Sequence, residues 1–346
     1  MAGMSWGGAP RPAVPTLEEV AARAGVSRST ASRAINGGLR VSPEALASVE
    51  RAVADLGYSP NRAARSLVTR RTDSIALVVP EPDERVLSDP FFAGTLSGLS
   101  SALQSTDIQM VLVIVRPGDT ERALRYLRAG HVDGAIVVSH HRADNIDREL
   151  AASHLPTVFV GRPLSPAGDG PPPAYVDSDN VAGARLATEH LIGLGRRRIG
   201  TIAGTQDMAV GVDRLAGWRA ALVAAGLPTD AVACGDFSAE SGSAGARRLL
   251  ADFPDLDAVF VASDLMATGA LPTLAELGRT VPDDVAVVAY DNSPVAASTR
   301  PPLTSVAQPV VAMARAAGLR LLDELQGAPA GPPLIFAPQL VVRASA

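Results

Sequence analysis

The chain has 346 residues, 47% of them hydrophobic, and a formal net charge of −5, enough for a small head and a body of one or two sizeable lobes. Cys234 is the only cysteine, which excludes an internal disulfide framework and fits a reducing compartment, and no apolar run approaches bilayer length. The charge is divided: residues 1–71 carry ten arginines against five acids (Glu18, Glu19, Glu44, Glu50 and Asp55), so a head of +5 precedes a remainder of −10, a balance that points to nucleic acid as a partner.

Residues 1–15, MAGMSWGGAPRPAVP, lack the apolar core of a signal peptide and read as a flexible arm, so a cytoplasmic location is expected. Thr16 and Glu19 then form a capping-box pattern that starts a helix at Leu17, with Leu17, Val20, Ala21 and Ala24 on one apolar face and Gly25 as its stop. Ser27 is placed to cap a second helix after a tight corner. Its Thr30, Ala31, Ala34 and Ile35 turn inward, and Arg28, Ser29 and Arg33 turn outward as donors for base edges and phosphates. Asn36-Gly37-Gly38 stops that helix, and Ser42-Pro43 opens a third whose Leu46, Val49, Val53 and Leu56 complete a small core. The spacing suits a helix-turn-helix. Taken alone it also fits an ordinary helical bundle with a solvated basic face.

From Thr72 onward short apolar runs alternate with helical stretches. Strands are expected at 74–79, 108–115, 134–139, 157–160, 198–203, 257–262 and 284–290, and crossover helices at 121–129, 181–193, 209–225 and 264–277. Such alternation implies parallel sheets with helices on both faces and a ligand beyond the strand C-termini. The insert PLSPAGDGPPP (163–173) reads as a surface loop, and the alanine-rich surroundings of Cys234 predict an inert buried thiol. Asp177 and Asp179 in YVDSDN suggest a metal pair less than a helix cap at Asp179 or Asn180, and His140-His141 is a weak metal signal. No phosphate loop, nucleophile elbow or zinc-protease motif is present, and GLGRRRIG (193–200) follows a helix where a dinucleotide turn follows a strand. No catalytic residue, metal site or cofactor is therefore expected.

Two long segments, TLEEVAARAGVSRSTASRAIN and VSPEALASVERAVADLGYSPNRAARSL, carry a resemblance to the lactose-repressor (LacI/GalR) family that extends from Thr16 to the C-terminus. The resemblance implies a fold of a small all-α helix-turn-helix head plus an α/β body of two doubly wound parallel-sheet lobes of periplasmic-binding-protein type. It divides the chain into an arm (1–15), a DNA-binding domain (16–58), a hinge helix and linker (59–71) and an effector-binding and dimerisation domain (72–346), with chain crossings between lobes near 175, 291 and 335. The DNA contacts it implies are Thr16, Ser27, Arg28, Ser29, Thr30, Arg33, Asn36 and Tyr58, then Asn61, Arg62 and Arg65 on the hinge. Leu67 would be an apolar wedge that opens the minor groove beside its twin from a second subunit. Ala31 and Ala34 stand where many relatives carry a branched residue, which bears on helix packing rather than on the motif.

In the body the resemblance makes Arg214 (in RLAGW) an effector-contacting arginine, Asp291 (in AYDNS) an acceptor for ligand hydroxyls, and Phe237 (in GDFS) an aromatic platform. Phe91 and Phe92 would line the cleft mouth, with Arg162, Gln206, Asp207, Trp218 and Asp264 as further effector contacts. Ser263 replaces a common asparagine, a departure that bears on ligand specificity. Bland alternatives stay open: Asp291 as a helix cap, Arg214 as the partner of an acid, Phe91 as core. The implied function is a homodimeric, cytoplasmic, nucleoid-associated repressor of carbohydrate uptake or utilisation genes, released from a palindromic operator by a small sugar. RRTDSIALVVPE, DPFFAG, GRPL, AGTQDM, GDFS and ASDLMA look like the actinobacterial cello-oligosaccharide repressors. A corepressor-dependent regulator sensing a nucleoside or other metabolite is the main alternative, and a sugar-binding protein or enzyme of similar fold a distant one.

Overall fold

The computed structural model describes residues 15–35, 41–59, 71–116, 118–164 and 173–346, and the chain divides into two compact units, Met1–Thr72 and Asp73–Ala346. In the first, helices α1 (Leu17–Ala24), α2 (Arg28–Ile35) and α3 (Pro43–Leu56) enclose Val20, Ala21, Ala31, Val49 and Ala52. The capping box is formed: the Thr16 N–H donates to Glu19 at 2.7 Å and the Thr16 hydroxyl accepts from the Glu19 N–H at 3.3 Å. Gly25 takes φ 68°, cheap only without a Cβ, and ends α1 two residues before α2 must start. The cap at Ser42 and the proline at the first position of α3 also form as expected. The small Ala31 side chain is fully buried, so the three helices approach closely where a branched residue would hold them apart.

The second unit contains two six-stranded sheets. Strands β1 (Ser74–Val79), β2 (Gln109–Ile114), β3 (Gly134–Val138), β4 (Thr157–Val160), β5 (Ala174–Ser178) and β11 (Leu334–Phe336) make the first, in the order β11-β5-β4-β3-β1-β2 and parallel throughout. The second, ordered β12-β10-β9-β8-β6-β7, contains β6 (Ile199–Ala203), β7 (Val232–Cys234), β8 (Ala258–Val261), β9 (Ala286–Asp291), β10 (Thr304–Ala307) and β12 (Gln339–Val341), with β12 antiparallel to β10. Helices α4 (Asp83–Ser88), α5 (Pro90–Leu103), α6 (Thr120–Arg128), α7 (Ile146–Ala151) and α12 (Val310–Leu325) cover the first sheet. Helices α8 (Asn180–Gly193), α9 (Ala209–Ala224), α10 (Ala239–Asp252) and α11 (Asp264–Glu276) cover the second. Both faces of the central strands of each sheet are buried, which is why those strands read as unbroken apolar runs.

The chain passes between the lobes after Ser178, at residues 308–309, and at residues 337–338. The crossing expected near 291 is thus corrected: after β9 the chain stays in the second lobe for one more strand. That strand, TSVA, is too short and too polar to signal itself. Glycines let the helices approach closely. A methyl at Gly242 would overlap the Met266 carbonyl, and one at Gly269 the Ala239 carbonyl, so α10 and α11 meet backbone to backbone. Gly269→Ala should therefore cost about 1–3 kcal/mol by overpacking, read as a lower denaturant midpoint at unchanged slope. Among the described residues no helix is long and apolar enough to cross a membrane.

Candidate functional site

Where the two sheets' strand C-termini face each other, both lobes wall a cleft. From the first lobe come Asp89, Phe91 and Phe92 at the start of α5, Ser139 and His140 after β3, Arg162 after β4 and Asp177 on β5. The second lobe adds Met208, Arg214, Phe237, Ser263 and Asp291, and the second crossing adds Gln308.

Arg214 is 2% exposed and its bonds explain its place. Its Nε–H donates to Asn180 at 3.0 Å, its Nη1 to the Ala262 carbonyl at 2.6 Å and to Asp291 Oδ1 at 3.1 Å, and its Nη2 to Gln308 at 2.8 Å. The guanidinium also lies 3.6 Å from the Tyr290 ring centroid. Four of its five N–H groups are therefore committed, leaving one on Nη2 for the cleft. Asp291, on a positive φ of 103° at the end of β9, keeps a quarter of its side chain exposed (26%). Burial pushes its pKa up to about 7 against the pull of Arg214, with Asp264 and Asp89 adding to the rise. Its Oδ2 accepts nothing from the described residues, so it remains an acceptor for the cleft. The alternative in which Arg214 pairs with an acid is realised, and the same side chain lines the cleft.

Phe91 and Phe92 meet edge to face at 5.3 Å, Phe92 buried in the lobe core and Phe91 only partly covered. Phe237 sits at φ 70° with its ring where a side chain at Gly204 would be, and Arg85 approaches its face at 5.5 Å. Arg162 reaches the cleft while its guanidinium crosses to the second lobe, bonding Asp213 at 2.8 Å.

Four expected effector residues are not brought to the cleft lining. Trp218 is fully buried in the second lobe's core, because the apolar face of α9 turns it toward the sheet. Asp264 is buried and accepts from the Ser293 N–H at 2.6 Å and the Ser305 hydroxyl at 2.6 Å, so it braces the loop after β9. Gln206 turns back to the Gly204 carbonyl at 2.7 Å. Asp207 bonds His141 at 2.9 Å and Thr205 at 2.6 Å, at the edge of the cleft rather than in its wall.

His140 and Asp177, which the sequence offered only as parts of weak metal signals, line the cleft together with Asp89. His140 is 7% exposed, its ring edge-on to Phe159, and burial drops its pKa to about 4, so it is neutral. Asp177 accepts from the Arg162 N–H at 2.9 Å and the Ser178 N–H at 2.7 Å, while burial raises its pKa. Asp179 caps α8 through the Ala182 N–H at 2.9 Å, as the YVDSDN pattern suggested. Among the described residues no cluster of three or more histidine, cysteine or acidic side chains could hold a metal. Cys234 is exposed at the end of β7, an edge strand, which corrects the expectation of a buried thiol.

In the head, the Ser27 hydroxyl meets those of Ser29 and Thr30 at 2.9 Å each and accepts from the Thr30 N–H, fixing the start of α2. Arg28 pairs with Glu18 at 2.7 Å and Arg33 folds back on the Ser29 carbonyl at 3.2 Å, and both arginine side chains lie at the surface. Tyr58 packs on the head core. Thr16 spends its side chain on the capping box. The roles expected for Asn36, Asn61, Arg62, Arg65 and Leu67 lie outside the described residues, as does most of the 163–173 insert.

Comparison with known proteins finds a match toward each end of the chain. Residues 16–61 match the bacterial regulatory proteins of the lacI family, and residues 188–346 match the periplasmic binding protein-like domain. The HTH-type transcriptional regulator CelR of Thermobifida fusca is 49% identical over 335 residues, covering 96% of this chain and 98% of that protein. A solved transcriptional regulator CelR–cellobiose complex aligns with TM-score 0.77 at 47% identity, over 96% of this chain and 100% of that one. The lac repressor dimer bound to operator and the anti-inducer ONPF aligns with TM-score 0.84 at 29% identity, over 96% and 99%. These relatives are transcriptional regulators, not enzymes. A basic three-helix head, a two-lobed body and full-length identity of this order place the chain in the lacI family of bacterial regulatory proteins.

Proposed function

We propose that the chain is a sugar-released repressor of carbohydrate uptake or utilisation genes. Two heads of a homodimer bind a palindromic operator, and a small sugar of the cellobiose type enters the cleft and releases them. The carrying observation is the cleft's chemistry: Arg214 offers a single free donor, Asp291 a free acceptor, and Phe91 and Phe237 aromatic faces for the apolar side of a sugar ring. The name of the CelR–cellobiose structure, so similar in sequence, supports that class of ligand.

On this reading the arm (1–15), the DNA-binding domain (16–58), the hinge and linker (59–71) and the effector domain (72–346) are separate working parts. The cytoplasm, and within it the nucleoid, is where the protein acts. Ser29 and Arg33 face DNA, and Arg28 exchanges Glu18 for phosphate, an inexpensive exchange because an exposed pair is worth about 0–1 kcal/mol.

Fluorescence anisotropy on a labelled inverted-repeat operator from upstream of the gene tests the reading, with mono- and disaccharides including cellobiose added in turn. Tight, sequence-dependent binding relieved by one sugar is the expected result. Binding that appears only with added metabolite would replace release by corepression, and no specific binding in either condition would overturn the proposal.

A further inference from the structure

Resting on the reading of the cleft as the effector site, we propose that His141 is a positioning residue that fastens the two lobes across the cleft mouth. It bonds Asp207 of the second lobe while seated on Glu81 of its own.

His141 follows β3 in the first lobe. Its Nδ1 lies 2.9 Å from Asp207 Oδ2 and its Nε2 3.2 Å from Glu81 Oε1. Both ring nitrogens thus face carboxylate oxygens. A neutral imidazole carries one N–H and could satisfy only one of them, so the arrangement calls for the imidazolium. Neither carboxylate is free to turn away. Glu81 is buried and accepts from the Ser139 hydroxyl at 2.5 Å and from Arg85 at 3.3 Å, and Asp207 accepts from Thr205 at 2.6 Å.

Two neighbouring bonds cross the same gap: the Arg142 N–H donates to the Asp207 carbonyl at 2.8 Å, and Arg85 donates to the Asp236 carbonyl at 3.0 Å. The charged groups facing the ring are Glu81 beyond β1, Arg85 on α4, Asp144 on the turn 142–144 and Asp207 before α9, while the adjacent His140 is neutral. Burial opposes a charge on His141, but Glu81 and Asp207 outweigh it and raise its pKa to about 9.

Separating the lobes removes Asp207 and lets that pKa fall toward its ordinary 6.5. The fastened form is therefore favoured in full below the pKa of the separated form, and the advantage is lost as pH rises through about 9. Each unit of difference is worth about tenfold in the ratio of fastened to separated protein. Sugar held between the lobes should bind with the same proton dependence.

The experiment is hydrogen–deuterium exchange on the full chain without sugar, reading the Arg142 amide in wild type, His141→Gln and Asp207→Asn, with β3 amides as the control for folding. Protection of Arg142 should fall about tenfold in both variants at pH 7.5 with β3 unchanged. In wild type, corrected for intrinsic exchange, it should be lost between pH 7 and 10. If one variant loses β3 protection, the other and the wild-type pH series decide. Equal, pH-independent protection in all three proteins would overturn the proposal. Calorimetry with cellobiose over the same pH range forms a second arm, in which wild type should weaken with rising pH and the variants bind about tenfold less tightly at pH 7.5, with little pH dependence. If no protein binds cellobiose, the assignment of the sugar fails, and the exchange result still decides the role of His141.

Discussion

Arg214→Ala is expected to abolish the response to sugar and to lower the stability of the body by about 3–5 kcal/mol, the cost of removing one partner from a buried ion pair. The variant leaves the Ala262 carbonyl, Asn180, Gln308 and Asp291 without their donor and empties the face of Tyr290. Asp291 limits the loss by taking up a proton. Its pKa is already raised to about 7 by burial, and without Arg214 it rises further. Between the unfolded carboxylate value and the folded one the native state binds the extra proton, so stability declines as pH rises. In wild type that decline ends near pH 7, and in the variant it continues above it. Thermal unfolding at pH 6 and pH 8 should show the deficit of Arg214→Ala growing with pH, and operator release by cellobiose should vanish. Arg214→Lys should not rescue either property, because three donors on one ammonium cannot span four acceptors around a plane. A variant that melts like wild type and still releases operator would remove Arg214 from both roles.

Operator affinity is expected to fall by about a thousandfold or more between 50 and 200 mM salt, as for a protein that neutralises about 6–10 phosphates. The head's surplus of +5, doubled in a dimer, supplies the charge. Arg23 and Arg28 are held in ion pairs with Asp55 and Glu18, but both pairs are exposed and give way readily to phosphate. The −10 of the rest of the chain opposes less as salt rises, since added salt screens it too. Anisotropy titrations at four salt concentrations would give the slope. A slope shallower than about −3 in log affinity against log salt would mean that most of these arginines do not reach the backbone.

The sequence made the head legible because each helix boundary there is local chemistry: Thr16 with Glu19, Gly25, Ser42 with Pro43. In the body the long buried strands and the four crossover helices were equally plain. The strands that escaped were β5, β7, β10, β11 and β12, three to five residues each, whose pairing is decided by distant partners; helices α10 and α12 were not among those named either. The same limit governs the cleft. Arg214 and Asp291, singled out by the motifs around them, line the cleft, whereas Trp218 and Asp264 stand in equally suggestive motifs and serve as core and brace. Nothing in a one-dimensional pattern distinguishes a polar side chain that bonds a ligand from one that bonds a serine forty-one residues away. His141 makes the point more sharply, because its two carboxylates lie sixty and sixty-six residues off.

The lobes' shared strands and helices also set an order for synthesis. The first lobe's core includes Met313, Ala314, Ala317 and Leu321 from α12, and its outer strand is β11. A ribosome that has delivered residues 73–178 has therefore released five strands of a sheet with one hydrophobic face only partly covered, by Val86 of α4 and Phe92, Leu99 and Leu103 of α5. That face closes only after the whole second lobe has been made and the chain has come back. Pairing this late is slow and exposed to aggregation. The head, whose core needs only residues 17–58, can finish while the body is still being translated. Nascent chains of this protein should pass through a long interval with a finished DNA reader tethered to an unfinished sensor.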